Sequence, residues 1–179
     1  GNIFHDSAQH IYMKLSERNG EIRKGDIEAI QKNKFEIERI VDYMFKRDLF
    51  NVEDSVTFHP EYNGLQLINR EVIIKYLNKL LDIDKELAPF TILAVEGDVS
   101  KTETITTSRG SFEIRIGGRI DRLDMITEAD KGERIRVIDY KTGAKSPKPL
   151  KTVNDIFEPS MITTNHSDYY LQTFMYALI

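Results

Sequence analysis

The sequence predicts an α/β domain, helices first and a sheet after, on three observations. Up to about residue 88 the apolar residues recur at helical spacing. From residue 89 onward β-branched residues and alternation replace that pattern. Helical spacing then returns over residues 169–179, so the order is helices, strands, helix, that of an α/β or α+β domain. At 179 residues, 40% of them hydrophobic, one domain with a substantial core is expected, with a helical part at 1–88 and a sheet part at 89–179.

The helices follow from their stripes. Phe4, Ala8, Ile11 and Leu15 form the first, which the Asn19-Gly20 pair should end. Asp26 is placed to cap a short helix running to Asn33. Ile37, Ile40, Val41, Met44 and Phe45 make a second long stripe, and Ile73, Leu77, Leu80 and Leu81 a third after a turn at Asn63-Gly64. Strands are expected over residues 90–95, 111–126 and 134–140, with turns at 108–110 and 127–133 that favour antiparallel hairpins. Residues 142–167 hold Pro147, Pro149 and Pro159, with a short helix expected near residues 153–157; a connection of that length is usually functional.

Composition excludes several chemistries. With no cysteine the segment can hold no disulfide, thiolate zinc site, iron-sulfur cluster or thiol nucleophile, so any metal must sit on carboxylates, histidines or carbonyls. A net charge of −4 gives no global attraction for polyanions, and a nucleic-acid partner would need a local patch. Residues 131–151 supply one, with Lys131, Arg134, Arg136, Lys141, Lys145, Lys148 and Lys151 against Glu133 and Asp139. No apolar run approaches the roughly 20 residues of a bilayer span, so no membrane partner and a cytoplasmic setting are expected.

The informative stretch is Gly118-Arg119-Ile120-Asp121-Arg122-Leu123-Asp124, followed by Val137-Ile138-Asp139-Tyr140-Lys141. Side chains alternate along a strand, so Asp139 and Lys141 share a direction, and hairpin pairing can set Asp121 beside Asp139. Two carboxylates and an amine suit phosphodiester hydrolysis, which needs an activated water and countercharge for the developing phosphorane. Magnesium on carboxylates provides both, and Lys141 can orient the water or neutralise charge. Arg122 and Asp124 read as structural or cross-strand pairs.

Together these segments resemble the RecB-like branch of the PD-(D/E)xK nucleases, including its AddB type. A downstream Gln-x-x-x-Tyr, Gln172 to Tyr176, and an upstream Gly-x-x-x-His, Gly1 to His5, extend the resemblance over almost the whole chain. It implies a restriction-endonuclease-like core with a mixed β-sheet flanked by helices. It also implies metal-binding acids at Asp121 and Asp139, a catalytic lysine at Lys141, and a histidine ligand at His5. Glu96 looks like the family's additional acid, with a solvated strand-end acid as the alternative; Tyr140 would add its backbone carbonyl to the metal. Gln172 and Tyr176, four apart on one helix face, would contact DNA or brace the site, with Lys145, Lys148 and Lys151 as further DNA contacts. Where the family has Pro before the first acid this chain has Ile120, a variation usual in the branch, and the cluster some relatives carry is not expected.

The implied function is a Mg2+- or Mn2+-dependent DNA exonuclease linked to helicase domains, in the same chain or a partner subunit, in repair or recombination. The rivals are a DNA-binding or scaffolding module of the same fold without activity, and a stand-alone endonuclease. The apolar run at residues 174–179 leads us to expect a piece of a longer protein.

Overall fold

The computed structural model describes residues 2–52, 59–128, 130–143 and 146–179. Gly1 and Lys145, both named above, lie outside the described residues. The elements are α1 (Asn2–Asn19), β1 (Glu21–Ile22), α2 (Lys24–Lys32), α3 (Lys34–Phe50), α4 (Gly64–Leu87), β2 (Phe90–Thr107), β3 (Gly110–Glu128), β4 (Gly132–Ile138), a 3₁₀ turn (Val153–Phe157), α5 (Pro159–Asn165) and α6 (Ser167–Leu178). By contacts the chain forms two compact units: Gly1–Glu96 with Asp121–Tyr140, and Gly97–Ile120 with Lys141–Ile179.

In the first unit the expected stripes are the core. Phe4, Ala8, Ile11 and Leu15 of α1, the five apolar residues of α3, and Leu77 and Leu81 of α4 are all buried, joined by Ile22 and Phe90 from the sheet. Gly20 stops α1 because the chain turns there through φ +70°, where a Cβ is disfavoured. Arg23, not Asp26, is the N-cap of α2. Asp26 stands three residues on and accepts the Arg23 N–H at 2.9 Å, so it caps from the N3 side of the box. Asn63 is more than a turn residue, since it exchanges hydrogen bonds of 2.9 Å with Gln66 and so caps α4.

The strand order is β1-β2-β3-β4. β1 pairs antiparallel with β2, and β3 with β4 from Arg122↔Ile138 to Glu128↔Gly132. β2 and β3 are joined by two residues, Ser108 and Arg109, which only an antiparallel pair allows. The parallel pair that a mixed sheet requires is therefore absent among the described strands: the two hairpin connections are too short for a crossover, and β1, although α2, α3 and α4 separate it from β2, meets that strand antiparallel as well. β2 also runs well past residue 95. Its outer half is Thr-rich and largely exposed, with no buried residue, so it has β propensity without the apolar alternation that reveals a strand in sequence.

The second unit holds these outer arms, cross-linked where Arg115 Nε donates to Ser100 Oγ at 3.0 Å. At Gly117 an added Cβ would come within 2.5 Å of the Val99 carbonyl, so the close approach of the arms requires glycine there. Further along, the main-chain N–H of Lys148 donates to the Asn165 carbonyl at 2.9 Å and Tyr170 Oη donates to the Lys148 carbonyl at 3.2 Å, which ties the proline-rich segment to the last two helices. Among the described residues no helix is long and apolar enough to cross a membrane.

Candidate active site

Alternation on β3 sorts the motif into two faces. Ile120, Arg122 and Asp124 are buried, while Asp121 takes the other parity and is only partly buried. Asp121 Oδ1 lies 3.2 Å from His5 Nδ1, and its Oδ2 accepts the main-chain N–H of Tyr140. His5 is available because it follows Phe4 on α1, one step off the buried stripe, with 26% of its side chain exposed. Glu96 lies within β2 at φ +51°, a left-handed conformation that costs a non-glycine residue about 1–3 kcal/mol and concentrates at functional sites. His5, Glu96 and Asp121 each offer a ligand atom, and these atoms all lie within 4.8 Å of one another.

That group fits a hard divalent cation. Its donors are one imidazole nitrogen and carboxylate oxygens, and ligands on opposite sides of a magnesium ion are themselves about 4.2 Å apart, so modest closing suffices. The local field has the matching sign. The hydrogen bond to Asp121 raises the His5 pKa above its usual 6.5; burial opposes this, and the charges of Asp121, Glu96 and Asp139 reinforce it.

Asp139 follows directly on the last residue of β4, and extending the β3–β4 register by one step sets it opposite Asp121. It contributes to the field at His5 but is not one of the three residues within 4.8 Å. Tyr140, expected to offer its carbonyl, meets the group through its N–H and through its ring, whose centroid is 5.8 Å from that of His5.

The remaining motif residues meet in the second unit. Lys141 Nζ donates to Gln172 Oε1 at 2.8 Å and lies 5.0 Å from the centre of the Tyr169 ring. Gln172 Nε2 in turn donates to Tyr176 Oη at 2.8 Å, and Tyr176 Oη donates to the Arg119 carbonyl at 2.9 Å. The Tyr176 ring lies over Gly118, where an added Cβ would meet Tyr176 Cε1 at 3.6 Å, an ordinary van der Waals contact. Lys148 and Lys151 are exposed.

The sequence profile of the PD-(D/E)XK nuclease superfamily matches residues 1–179. The chain belongs to that superfamily. Among curated proteins it is similar to the B subunit of the ATP-dependent helicase/deoxyribonuclease of Alkaliphilus metalliredigens, 29% identical over 151 residues that make up 81% of this chain and 12% of that protein. The protein of the same name from Alkaliphilus oremlandii is 28% identical over 152 residues, again 81% and 12%. The chain thus spans about 12% of the length of the curated relatives it matches. No solved structure matches it.

In this superfamily member the second and third charged residues of Gly-x-x-Asp-Arg-x-Asp serve a buried network. Arg122, wholly buried, donates from Nε and Nη2 to Asp124 at 3.0 Å each and from Nη1 to Asp84 at 2.7 Å. Arg136 adds a second guanidinium on Asp124 at 2.6 Å, and Tyr12 Oη donates to Asp84. Burial works against the Arg122 charge, but Tyr12, Asp84 and Tyr140 outweigh it and hold its pKa above the usual arginine value. Sequence reasoning missed Asp84 and Tyr12. The signal was there for Asp84, a carboxylate three residues after Leu81 on the buried face of α4, where an acid needs a partner.

Proposed function

We propose that this chain hydrolyses phosphodiester bonds in DNA with a magnesium or manganese ion held by His5, Glu96 and Asp121, with Asp139 and the Tyr140 carbonyl as further ligands. The observation that carries the reading is the convergence of three ligand atoms within 4.8 Å on a chain of this nuclease superfamily. When bound, such an ion lowers the pKa of a coordinated water and offsets negative charge on the phosphoryl oxygens.

The chain's own residues then divide the work. Asp121 and Glu96 bring the negative charge that selects a cation, and His5 is poised on Asp121. Lys141 supplies an ammonium for the charge that builds on the phosphate in the transition state. Gln172, backed by Tyr176, holds that ammonium in place, so these two residues act by bracing Lys141 rather than by touching DNA. Lys148 and Lys151, with Lys145, offer charge to the phosphate backbone.

DNA as substrate and linkage to a helicase are supported by the names of the relatives, whereas exonucleolytic action rests on the resemblance of the motif set alone. The experiment is cleavage of end-labelled linear single-stranded, linear duplex and closed circular DNA with Mg2+, Mn2+ or EDTA, by the wild type and by Asp121→Asn. Stepwise shortening of linear DNA that stops with EDTA or Asp121→Asn is expected. Cutting of the closed circle would make the protein an endonuclease, and DNA binding without cleavage would make it a binding module.

A further inference from the structure

Asp121 and His5 come from different elements, β3 and α1, and Tyr140 lies against both. Its N–H fixes one carboxylate oxygen of Asp121, and its ring meets the rings of His5 and Phe4 edge-on at centroid distances of 5.8 and 5.6 Å. The placement of Tyr140 therefore sets the plane of one candidate ligand and the tilt of the other. Its hydroxyl receives an N–H from Arg122 Nη1 at 3.3 Å.

Arg122 has no freedom to relax. Asp124 takes its Nε and Nη2, Asp84 shares Nη1 with Tyr140, and the Tyr12 ring lies 4.0 Å from the guanidinium carbon. Only a planar fork of five donors can serve three oxygen-bearing side chains at once in fixed directions; a lysine ammonium cannot.

We infer that Arg122 is a positioning residue for the metal site, acting through Tyr140; this rests on the reading of His5, Glu96 and Asp121 as ligands. Arg122 fixes the residue that orients both, from a point anchored in α1 and α4 by Tyr12 and Asp84. Partners that hold a ligand directly typically alter metal affinity 10- to 100-fold when lost, and Arg122, one residue further out behind Tyr140, is expected at the lower end of that range.

The test measures Mn2+ affinity by calorimetry, with thermal melts of each variant, for the wild type, Tyr140→Phe, Arg122→Lys, their double variant, Arg136→Lys and Asp121→Asn. Tyr140→Phe keeps the ring and the N–H and loses only the hydroxyl, so it should stay folded while binding Mn2+ about tenfold more weakly, at the lower end of that range. Arg122→Lys should likewise lose about tenfold, and the double variant should bind no more weakly than Arg122→Lys alone, because both act on one contact. Arg136→Lys, which disturbs the same buried network without touching Tyr140, should melt earlier with unchanged affinity. Should Arg122→Lys fail to fold, Tyr140→Phe decides alone. Binding by Tyr140→Phe within twofold of the wild type, with Asp121→Asn abolishing it, would overturn the inference and leave the metal site standing. Binding indifferent to Asp121→Asn would remove the metal reading and this inference with it.

Discussion

Replacing Arg122 by methionine tests whether the buried ion network stabilises the first unit. The network balances two guanidiniums against two carboxylates, and Arg122, Asp84 and Asp124 are all at most 3% exposed. Methionine fills much of the arginine volume but removes three hydrogen bonds to carboxylates and one to Tyr140. Arg136 then faces two buried carboxylates alone. Removing one partner of a buried pair costs about 3–5 kcal/mol, because the stranded charge keeps its desolvation penalty. For a chain of this length each kcal/mol moves Tm by about 2–4 °C, so Arg122→Met should lower Tm by about 6–20 °C. Circular dichroism melts at pH 7.5 would measure it. Arg122→Met with Asp84→Asn, which restores one charge of each sign, should recover at least half the loss. A fall below about 2 °C, or no recovery in the double variant, would refute the reasoning.

Three further outcomes are expected. The folded-state pKa of His5 is raised above 6.5, so in the metal-free protein its protonation stabilises the fold fully below that value, and this contribution is lost as pH rises through the folded pKa. Melts from pH 5.5 to 8.5 should show the wild type losing stability relative to His5→Gln, while Mn2+ affinity rises over the same window as the proton is displaced. Gln172→Leu removes a hydrogen bond to the charged Lys141, worth about 1.5–3 kcal/mol, and should lower kcat about 10- to 100-fold with Mn2+ affinity unchanged in calorimetry. Lys148→Gln with Lys151→Gln should reduce the salt dependence of duplex binding in a fluorescence titration by about 0.9 in slope for each phosphate no longer neutralised; an unchanged slope would take that segment out of the DNA path.

The sequence made the helical core legible because a helix buried on one side must repeat its apolar residues at that period. Ile37, Ile40, Val41, Met44 and Phe45 are all buried for that reason. β1 was invisible at two residues, and the outer arm of β2 was obscured because none of its residues is buried. α5 buries no side chain and left no stripe to read. At the site, alternation separated Asp121 from Arg122 and Asp124, but the contacts that fix Arg122 span 38 residues to Asp84, and Tyr12 reaches Asp84 across 72. No local pattern encodes pairings of that range. The left-handed turn of the backbone at Glu96 is likewise set by the surroundings of β2, since glutamate has no preference for it.

The most direct test of the central claim is a crystal soaked in Mn2+ and measured for anomalous scattering. A peak bound by His5, Glu96 and Asp121, with oxygen ligands at about 2.1 Å, is the predicted result. A peak elsewhere in the chain, or none at concentrations of Mn2+ that support cleavage, would contradict it.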